Sequence, residues 1–471
     1  MEVNGDTPPS YLTSDKTAFA YASAHHRWAS ILASAIERLQ NSASDCQESA
    51  KKEEGLEIAE KLIRLKDEVR LDQRLSPVDD DGESDVKLFN DQLEKLGPLT
   101  WFNLPWLYGD CYLYRRINSY FRMSLHWTTY DIFFHLKLDT FRSSRAAVVE
   151  LAKRYHDLAE TLAKTRGQVD LKGQEQLFYE MCEMSLWGNA TDLSLLTDIS
   201  YEDIQNLQSS EALKNKESIL VNDLHAVFST LQEARSKSKE ERRIDIVLDN
   251  AGFELYVDLI LASYLISSGI ATKIVIHPKS IPWFVSDTLP GDIDALFQIL
   301  ANPRSFYEAP SANGTHSLTA EALTEDQVDH LTFLAQAWDG FRTRGHWEIR
   351  PNRVWTHPSS FWKLPYEDRA LFEDLKKSDC VIFKGDLNYR KLTNDASWDP
   401  TTPFTKAIGP LGPDSGMNVL ALRTCKADVV VGLEQGIDEK LRAAPGGGGE
   451  TGRREWAWSG KWAVCSFSRG H

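Results

Sequence analysis

The sequence predicts an open three-layer α/β/α sheet preceded by a mainly helical N-terminal domain. Before about residue 240, apolar residues recur at helical spacing among charged ones, and alternating β-branched runs are rare. After that point, β-branched runs alternate with helical segments, as in a sheet whose strands are joined through helices. The polar segment Ser236–Arg243 separates the two patterns. We therefore predict a helical domain over residues 1–240 and an α/β domain over residues 241–471.

The individual elements follow from the same periodicities. Helical spacing predicts helices over Thr17–Leu39, Glu48–Val69, Tyr130–Thr140 and Ser144–Thr165. β-branched runs predict strands over Ile244–Asp249, Lys273–His277, Arg353–His357, Asp379–Lys384, Asn418–Arg423, Asp428–Gly432 and Lys461–Phe467. The glycine run Gly446–Gly449 predicts a surface loop before the last of these strands.

Composition excludes several classes of function. The chain has 471 residues and a net charge of -16, which argues against general binding to nucleic acid or to an anionic membrane. Its apolar runs fall short of the ~20 residues that a membrane helix needs. The six cysteines form no C-x-x-C pair, and the N-terminus lacks a basic start and an apolar core. We expect a cytoplasmic protein, with the nucleus as a possible second location, whose partner is a small molecule. The oligomeric state is left open.

The segment between Ile244 and Asp287 predicts a ligand site at one edge of the sheet. A β-branched run ends in Asp249-Asn250, a helix follows to about Ser268, and a second strand then begins. Parallel strands of such a βαβ unit bind ligands at their carboxyl ends. A carboxylate beside a carboxamide offers oxygen ligands for a divalent cation, and Asp287 follows the next strand at the same edge.

Two basic motifs also follow predicted strands. Lys384–Leu392, KGDLNYRKL, carries Arg390 at the start of a predicted helix, where backbone N–H groups and an arginine can hold a phosphate. Leu422–Asp428, LRTCKAD, offers Arg423 and Lys426. Taken alone, each motif is equally consistent with solvated charges on a helix or a loop. Together with the acidic edge they predict a cation facing basic side chains, an arrangement that suits a phosphate monoester.

The same motifs resemble a known family. DNAGFE, PWFVSD, GDLNYRKL and RTCK occur in the order of the metal-dependent damage-control phosphatases, and the last is similar to the Arg-Thr-x-Lys signature of one branch. Trp101–Ile117 and Leu186–Ser194 resemble the helical half of that branch, so the resemblance spans most of the chain. The branch is described both as sugar phosphate phosphatase and as protein-glutamate O-methyltransferase.

The resemblance implies roles for the matching positions. Asp249, Asn250 and Asp287 would be catalytic and would ligate Mn²⁺, or Co²⁺, Ni²⁺ or Mg²⁺. Glu254 is the position linked to S-adenosylmethionine in the methyltransferase description. The implied substrates are fructose 1-phosphate and fructose 6-phosphate. The implied substrate-binding residues are Asp249, Asn250, Asp386, Leu387, Asn388, Tyr389, Arg390 and Lys426.

The expected activity is metal-assisted hydrolysis of a phosphate ester, in which a cation polarises a phosphoryl oxygen and Arg390 and Lys426 neutralise charge. The nucleophile is left open, because Asp249 or Asp287 could also attack directly. Methyl transfer is the alternative, but the turn Asp249–Gly252 has only one glycine, whereas an S-adenosylmethionine fold usually has a Gly-rich turn there. A non-catalytic sugar phosphate-binding scaffold is the third hypothesis.

Overall fold

The computed structural model describes residues 7–164, 171–188, 217–237, 240–308 and 322–471. Within them, seven strands form one mixed sheet in the order β1-β7-β6-β5-β2-β3-β4. Neighbouring strands are parallel except for the antiparallel pair β6 and β7. The strands are β1 Ile219–Asn222, β2 Arg243–Val247, β3 Lys273–His277, β4 Trp347–Ile349, β5 Cys380–Lys384, β6 Val419–Thr424 and β7 Ala463–Ser468.

Helices make up most of the remaining described structure. None of them is long and apolar enough to cross a membrane. Before β1 they span Phe19–Ala22, the π-helix Ser23–Arg27, Trp28–Ser44, Ser49–Arg70, Val86–Leu96, Trp106–Arg122, Phe134–Ser143, Arg145–Lys164 and Leu171–Trp187. From β1 onward the α-helices span Leu224–Ser236, Phe253–Ser267, Pro290–Ala301, Pro303–Tyr307, Glu325–Thr343, Leu364–Glu367, Arg369–Leu375, Gly385–Leu392, Phe404–Ala407 and Ile437–Ala443.

Both faces of the sheet are buried, which makes the α/β part three-layered. Along β5, Cys380 and Ile382 belong to one apolar cluster, whereas Val381 and Phe383 belong to another. This alternation follows from the two-residue period of a strand. Helices cover each face, so the predicted α/β/α sheet with a preceding helical region is confirmed.

A third apolar cluster joins the N-terminal helices to the sheet. It is built mainly from residues before 134, but it also contains Trp283, which follows β3, and Leu387, which follows β5. The helical region therefore packs over the carboxyl ends of the strands. That placement covers the edge at which the sequence predicts a site.

Two predicted strands are wrong, and two observed strands were not predicted. Arg353–Thr356 is a 3₁₀-helix capped by Asn352, whose side chain accepts a hydrogen bond from the N–H of Val354. The buried run after Asp428 lies outside the sheet, because side chains satisfy its backbone: the Tyr389 hydroxyl accepts from the N–H of Val431. A short apolar run does not distinguish a strand from a buried loop.

The strands that were not predicted are short. β4 has three residues, and β1 has four and pairs in parallel with β7. Because β1 precedes residue 240, part of the first predicted domain contributes to the sheet. The division at residue 240 stays a prediction.

Candidate active site

The candidate site lies where the strand order reverses. From β2 the chain continues to β3 and β4 on one side, while β5 and β6 lie on the other. Connections that leave in opposite directions open a crevice at the carboxyl ends of the two central strands. Asp249 lies two residues beyond the end of β2, and Asp386 lies two residues beyond the end of β5.

The loops after β2 and β3 pair with each other, which brings the predicted ligands together. Asn250 and Asp287 form an isolated β-bridge. The N–H of Thr288 donates to the Asp249 carbonyl at 2.8 Å, and the N–H of Ala251 donates to Ser286 at 2.7 Å. Backbone pairing therefore fixes the spacing of the side chains.

The loop before Asp287 is held in a costly backbone conformation. Phe284 and Val285 have φ of 44° and 70°, a region that a β-branched residue rarely adopts. The ring of Phe284 stacks on Tyr114 of the helical region, with centroids 4.9 Å apart. Strain of this kind persists where the surroundings enforce it, and it concentrates at functional sites. Packing against the helical region thus helps to hold the Asp287 loop.

The side chain of Asn250 is fixed by two carboxylates. Its Nδ2 donates to Oδ2 of Asp249 at 2.9 Å and to Oε2 of Glu254 at 2.8 Å. Glu254 is also 3.6 Å from the buried ammonium of Lys384, which lies 3.0 Å from Asp258. Glu254, the residue that the resemblance links to S-adenosylmethionine, therefore already orients Asn250.

A lysine that the sequence analysis missed lies beneath the cluster. Lys279 is fully buried; its Nζ donates to the Leu248 carbonyl at 2.6 Å and lies 3.3 Å from Oδ2 of Asp287. Only its position just after β3 could have indicated this role, because a local sequence pattern does not distinguish a buried lysine from a solvated one.

The carboxylates of the cluster repel one another. Burial raises the pKa of Asp249 well above its ordinary value, and the negative charges of Glu254 and Asp287 raise it further. The positive charges of Lys279 and Lys426 act in the opposite direction and lower it. Burial raises the pKa of Asp287 to about 6 despite the opposing charge of Lys279. A bound cation would relieve this repulsion.

The residues present fit a divalent cation. Oδ2 of Asp287 is buried, and its one charged neighbour among the described residues is the ammonium of Lys279 at 3.3 Å. Gly385 has φ of 81°, and a Cβ there would come within 1.9 Å of Oδ2 of Asp249, so only glycine leaves this space free. In the described ranges, no three His, Cys, Asp or Glu side chains form a metal-binding group, and the third ligand would be the Asn250 carboxamide oxygen, which here accepts from the Ser286 hydroxyl. That donor set is all oxygen, as hard cations prefer.

A cavity of about 870 Å³ opens over the cluster. Its lining contains every predicted site residue except Asn388 and Tyr389. Asn388 instead turns inward, and its Nδ2 donates to the carbonyls of Leu248 and Lys384. Tyr389 is fully buried. The predicted run of five substrate-binding residues after β5 is thus divided between the cavity and the core.

The basic residues of the two motifs have different surroundings. Arg390 is buried; it donates to Asp110 at 3.0 Å and to both oxygens of Asp395, and it lies 3.5 Å over the ring of Trp106. Lys426 is half-buried and makes no ion pair with any described residue. Lys426 is therefore available to an anion in the cavity, whereas Arg390 is already neutralised.

The Arg-Thr-x-Lys turn is shaped by its own arginine. Arg423 is fully buried, donates to Oδ1 of Asp386 at 2.8 Å and lies 4.3 Å over the Tyr389 ring. The same Asp386 oxygen accepts from the backbone N–H of Lys426 at 3.0 Å. Asp386 and Arg423 thus position Lys426.

The polar residues Asn189 and Asp192 of the Leu186–Ser194 motif lie outside the described residues.

Comparisons with known proteins show the family of the chain. A family model described as damage-control phosphatase ARMT1-like domain matches residues 23–441. Proteins named damage-control phosphatase ARMT1 from Danio rerio and Homo sapiens are 33% and 32% identical to the chain, over 100% and 98% of it and over 99% and 98% of their own lengths. A solved DUF89 family protein from Pyrococcus horikoshii has a TM-score of 0.36 and 14% identity, covering 94% of this chain and 99% of that one, a similarity too low to carry an argument. The chain belongs to the ARMT1-like family of damage-control phosphatases.

Proposed function

We propose that this protein is a metal-dependent phosphatase that hydrolyses sugar phosphates, with fructose 1-phosphate and fructose 6-phosphate as its first candidate substrates. The observation that carries the proposal is the convergence in one cavity of Asp249, Asn250 and Asp287 with Lys426, which forms no ion pair with the described residues. Oxygen ligands and a free cation are what a phosphate monoester requires. Family membership supports the same reaction.

The division of labour follows from the contacts. Asp249, Asn250 and Asp287 would hold Mn²⁺, or Co²⁺, Ni²⁺ or Mg²⁺, which when bound polarises a phosphoryl oxygen. Lys426 would bind the remaining phosphoryl oxygens as a point charge. Its backbone is fixed through Asp386 before substrate arrives. Such pre-organisation stabilises charge that develops in the transition state.

Aromatic side chains shape the space around the phosphate. Trp106, Tyr114, Phe284 and Trp458 all line the cavity. Apolar walls lower the local dielectric, so that Lys426 would act more strongly on the phosphate than it would in water. A sugar, with polar edges and apolar faces, could pack against these rings. Removal of reactive sugar phosphates in this way would limit glycation.

The test is a screen for phosphate release from a panel of sugar phosphates. The full-length protein would be assayed with Mn²⁺, with Mg²⁺ and with a chelator. Asp249→Ala, purified identically, serves as the control for contaminating phosphatases. We expect release from at least one ketose phosphate that depends on the metal and disappears in Asp249→Ala. Equal release by wild type and variant, or none with any metal, would reject the proposal.

A further inference from the structure

The cavity extends beyond the metal-ligand cluster. Its volume of about 870 Å³ lies in the range of pockets that enclose a whole small-molecule ligand, which is more than a phosphate and one cation fill. One wall comes from the N-terminal region and contains Phe19, Ser23, Arg27, Trp28, Ser30 and Ile31.

This wall is built on a π-turn. Ser23–Arg27 interrupts the predicted first helix, and the N–H of Trp28 donates to the carbonyl of Ser23, five residues earlier. Single π-turns within α-helices are rare and are frequent at functional sites. Here the wide turn presents Ser23, Arg27 and Trp28 to the same cavity.

Trp28 ties this turn to the other side of the cavity. Its indole Nε1–H donates to Oδ1 of Asp110 at 2.8 Å, and Oδ2 of Asp110 accepts from Arg390 at 3.0 Å. The position of the π-turn relative to the helix after β5 is thus fixed by one shared carboxylate. A subsite on this turn would lie at a defined distance from the metal-ligand cluster.

Two polar groups of the turn form no hydrogen bond or ion pair with the described residues. Ser23 is 3% exposed, and its hydroxyl makes no hydrogen bond within the described ranges. Arg27 is exposed and forms no ion pair with any residue that the structure describes, and its guanidinium lies 5.2 Å from the centroid of the Phe19 ring. A buried hydroxyl without a partner is costly, so a ligand that bonds it would recover that free energy.

The other cations of the cavity divide into two classes. Lys137 and Arg390 are each held by two carboxylates. Among the described lining residues, Arg27 and Lys426 remain uncommitted to an ion pair. Burial raises the pKa of Asp110, and the charges of Arg390 and Arg27 oppose that rise. Lys426 instead opposes the rise in the pKa of Asp249, so the two cations act on different carboxylates of the lining.

We propose that Ser23 and Arg27 form a second anion subsite, and that the enzyme therefore prefers sugar bisphosphates to sugar monophosphates. The inference rests on the proposed function. The phosphoryl group to be transferred would lie at Lys426 and the metal ligands, and the second phosphate would lie on the π-turn. A guanidinium suits that role because its parallel N–H groups match phosphate oxygens, and the Ser23 hydroxyl adds a further donor.

Steady-state kinetics with two substrates test the subsite. Phosphate release from fructose 1,6-bisphosphate and from fructose 1-phosphate would be measured for wild type, Arg27→Gln, Arg27→Lys and Ser23→Ala. Arg64→Gln, an exposed arginine of the helix Ser49–Arg70 outside the cavity, is the matched control. We expect Arg27→Gln to lower kcat/KM for the bisphosphate roughly tenfold through KM, the size of one charge-assisted hydrogen bond, and to change the monophosphate less than about twofold. Arg27→Lys should retain part of the preference.

Calorimetry separates a failure of this inference from a failure of the proposed function. Wild type should bind fructose 1,6-bisphosphate more tightly than fructose 1-phosphate, and Arg27→Gln should remove the difference. That result without any turnover would support the subsite and reject the phosphatase. Equal losses for both substrates in Arg27→Gln, equal binding of both sugars by wild type, or binding of neither would overturn the inference.

Discussion

The side-chain amide of Asn250 donates a 2.8 Å hydrogen bond to Oε2 of Glu254, the residue four positions later. The same nitrogen donates to Asp249, so the amide oxygen of Asn250 points the other way, where it accepts from the hydroxyl of Ser286. Glu254 in turn lies 3.6 Å from the buried Lys384. The orientation of a predicted metal ligand therefore depends on a carboxylate that would not itself hold the cation.

Removing the charge of Glu254 should weaken metal binding. Glu254→Gln can still accept from Asn250, but it loses its attraction to Lys384, and groups that orient metal ligands typically contribute 10–100-fold to affinity. We expect the Mn²⁺ concentration for half-maximal phosphate release to rise roughly tenfold. Glu57→Gln, an exposed position on Ser49–Arg70, should behave like wild type.

The same variant distinguishes phosphatase from methyltransferase. We expect calorimetry to detect no binding of S-adenosylmethionine to wild type. Three results together would instead show a methyltransferase. They are saturable binding of S-adenosylmethionine that Glu254→Gln abolishes, methylation of protein carboxylates, and no metal-dependent phosphate release.

Phosphate release should depend strictly on the metal. A chelator should abolish it, and Mn²⁺ or Co²⁺ should restore it. Asp249→Ala removes a predicted ligand and should reduce kcat by about 10²-fold or more, as the loss of a principal electrostatic stabiliser does. Undiminished activity in the chelator, measured after exhaustive dialysis, would remove the metal assignment.

Gly385 should be intolerant of even one methyl group. In Gly385→Ala the new Cβ would meet Oδ2 of Asp249, and the positive φ adds strain. We expect Mn²⁺-dependent phosphate release to fall at least about tenfold, because misplacing a catalytic group by ~1 Å can cost about a hundredfold. Gly291→Ala is the matched control, since a Cβ there has nothing within 4 Å. Equal activities of the two variants would contradict the close approach.

Changing Lys426 to methionine should lower activity, whereas changing Arg390 to methionine should lower the stability of the fold. Lys426→Met deletes a charge that pairs with no described residue, so kcat/KM should fall while the melting temperature stays near that of wild type. Whether KM rises or kcat falls will show if Lys426 binds ground and transition states alike.

Arg390→Met leaves Asp110 and Asp395 buried without their cation, which should destabilise the fold by about 3–5 kcal/mol. Circular dichroism melts beside the kinetics test both, and identical melts would contradict the structural role of Arg390.

The sequence predicted the parts of the site that lie at strand ends. β2, β3, β5, β6 and β7 are β-branched runs within one or two residues of the predicted ranges, so their terminal Asp249 and Asp386 could be placed at one edge. The resemblance implies that all five residues from Asp386 to Arg390 bind substrate. On the helix Gly385–Leu392, successive side chains point in different directions, so Arg390 and Leu387 line the cavity while Asn388 enters the core.

Other parts of the site depend on contacts that no local pattern encodes. Lys279 and Lys384 are buried only because the sheet brings carboxylates to them. Arg27 reaches the cavity through packing between segments more than two hundred residues apart. The π-turn that presents Arg27 continues a helical periodicity, which predicted an uninterrupted helix.

The stability of the protein should depend on pH through Asp428, which joins the N-terminal segment to the cavity wall. Its carboxylate accepts from the N–H of Phe19 and from the indole of Trp458, both at 2.8 Å. Burial raises the pKa of Asp428 to about 6, although these hydrogen bonds and the positive charge of Arg454 lower it. Because the folded state holds this proton more tightly than the unfolded state, the stabilisation is complete below pH ~4 and is lost as the pH rises through about 6. Wild type should therefore lose up to about 3 kcal/mol relative to Asp428→Asn over that interval. Denaturant midpoints of both proteins between pH 4 and 8 measure this change, and a difference that stays constant with pH would show that Asp428 is ionised throughout.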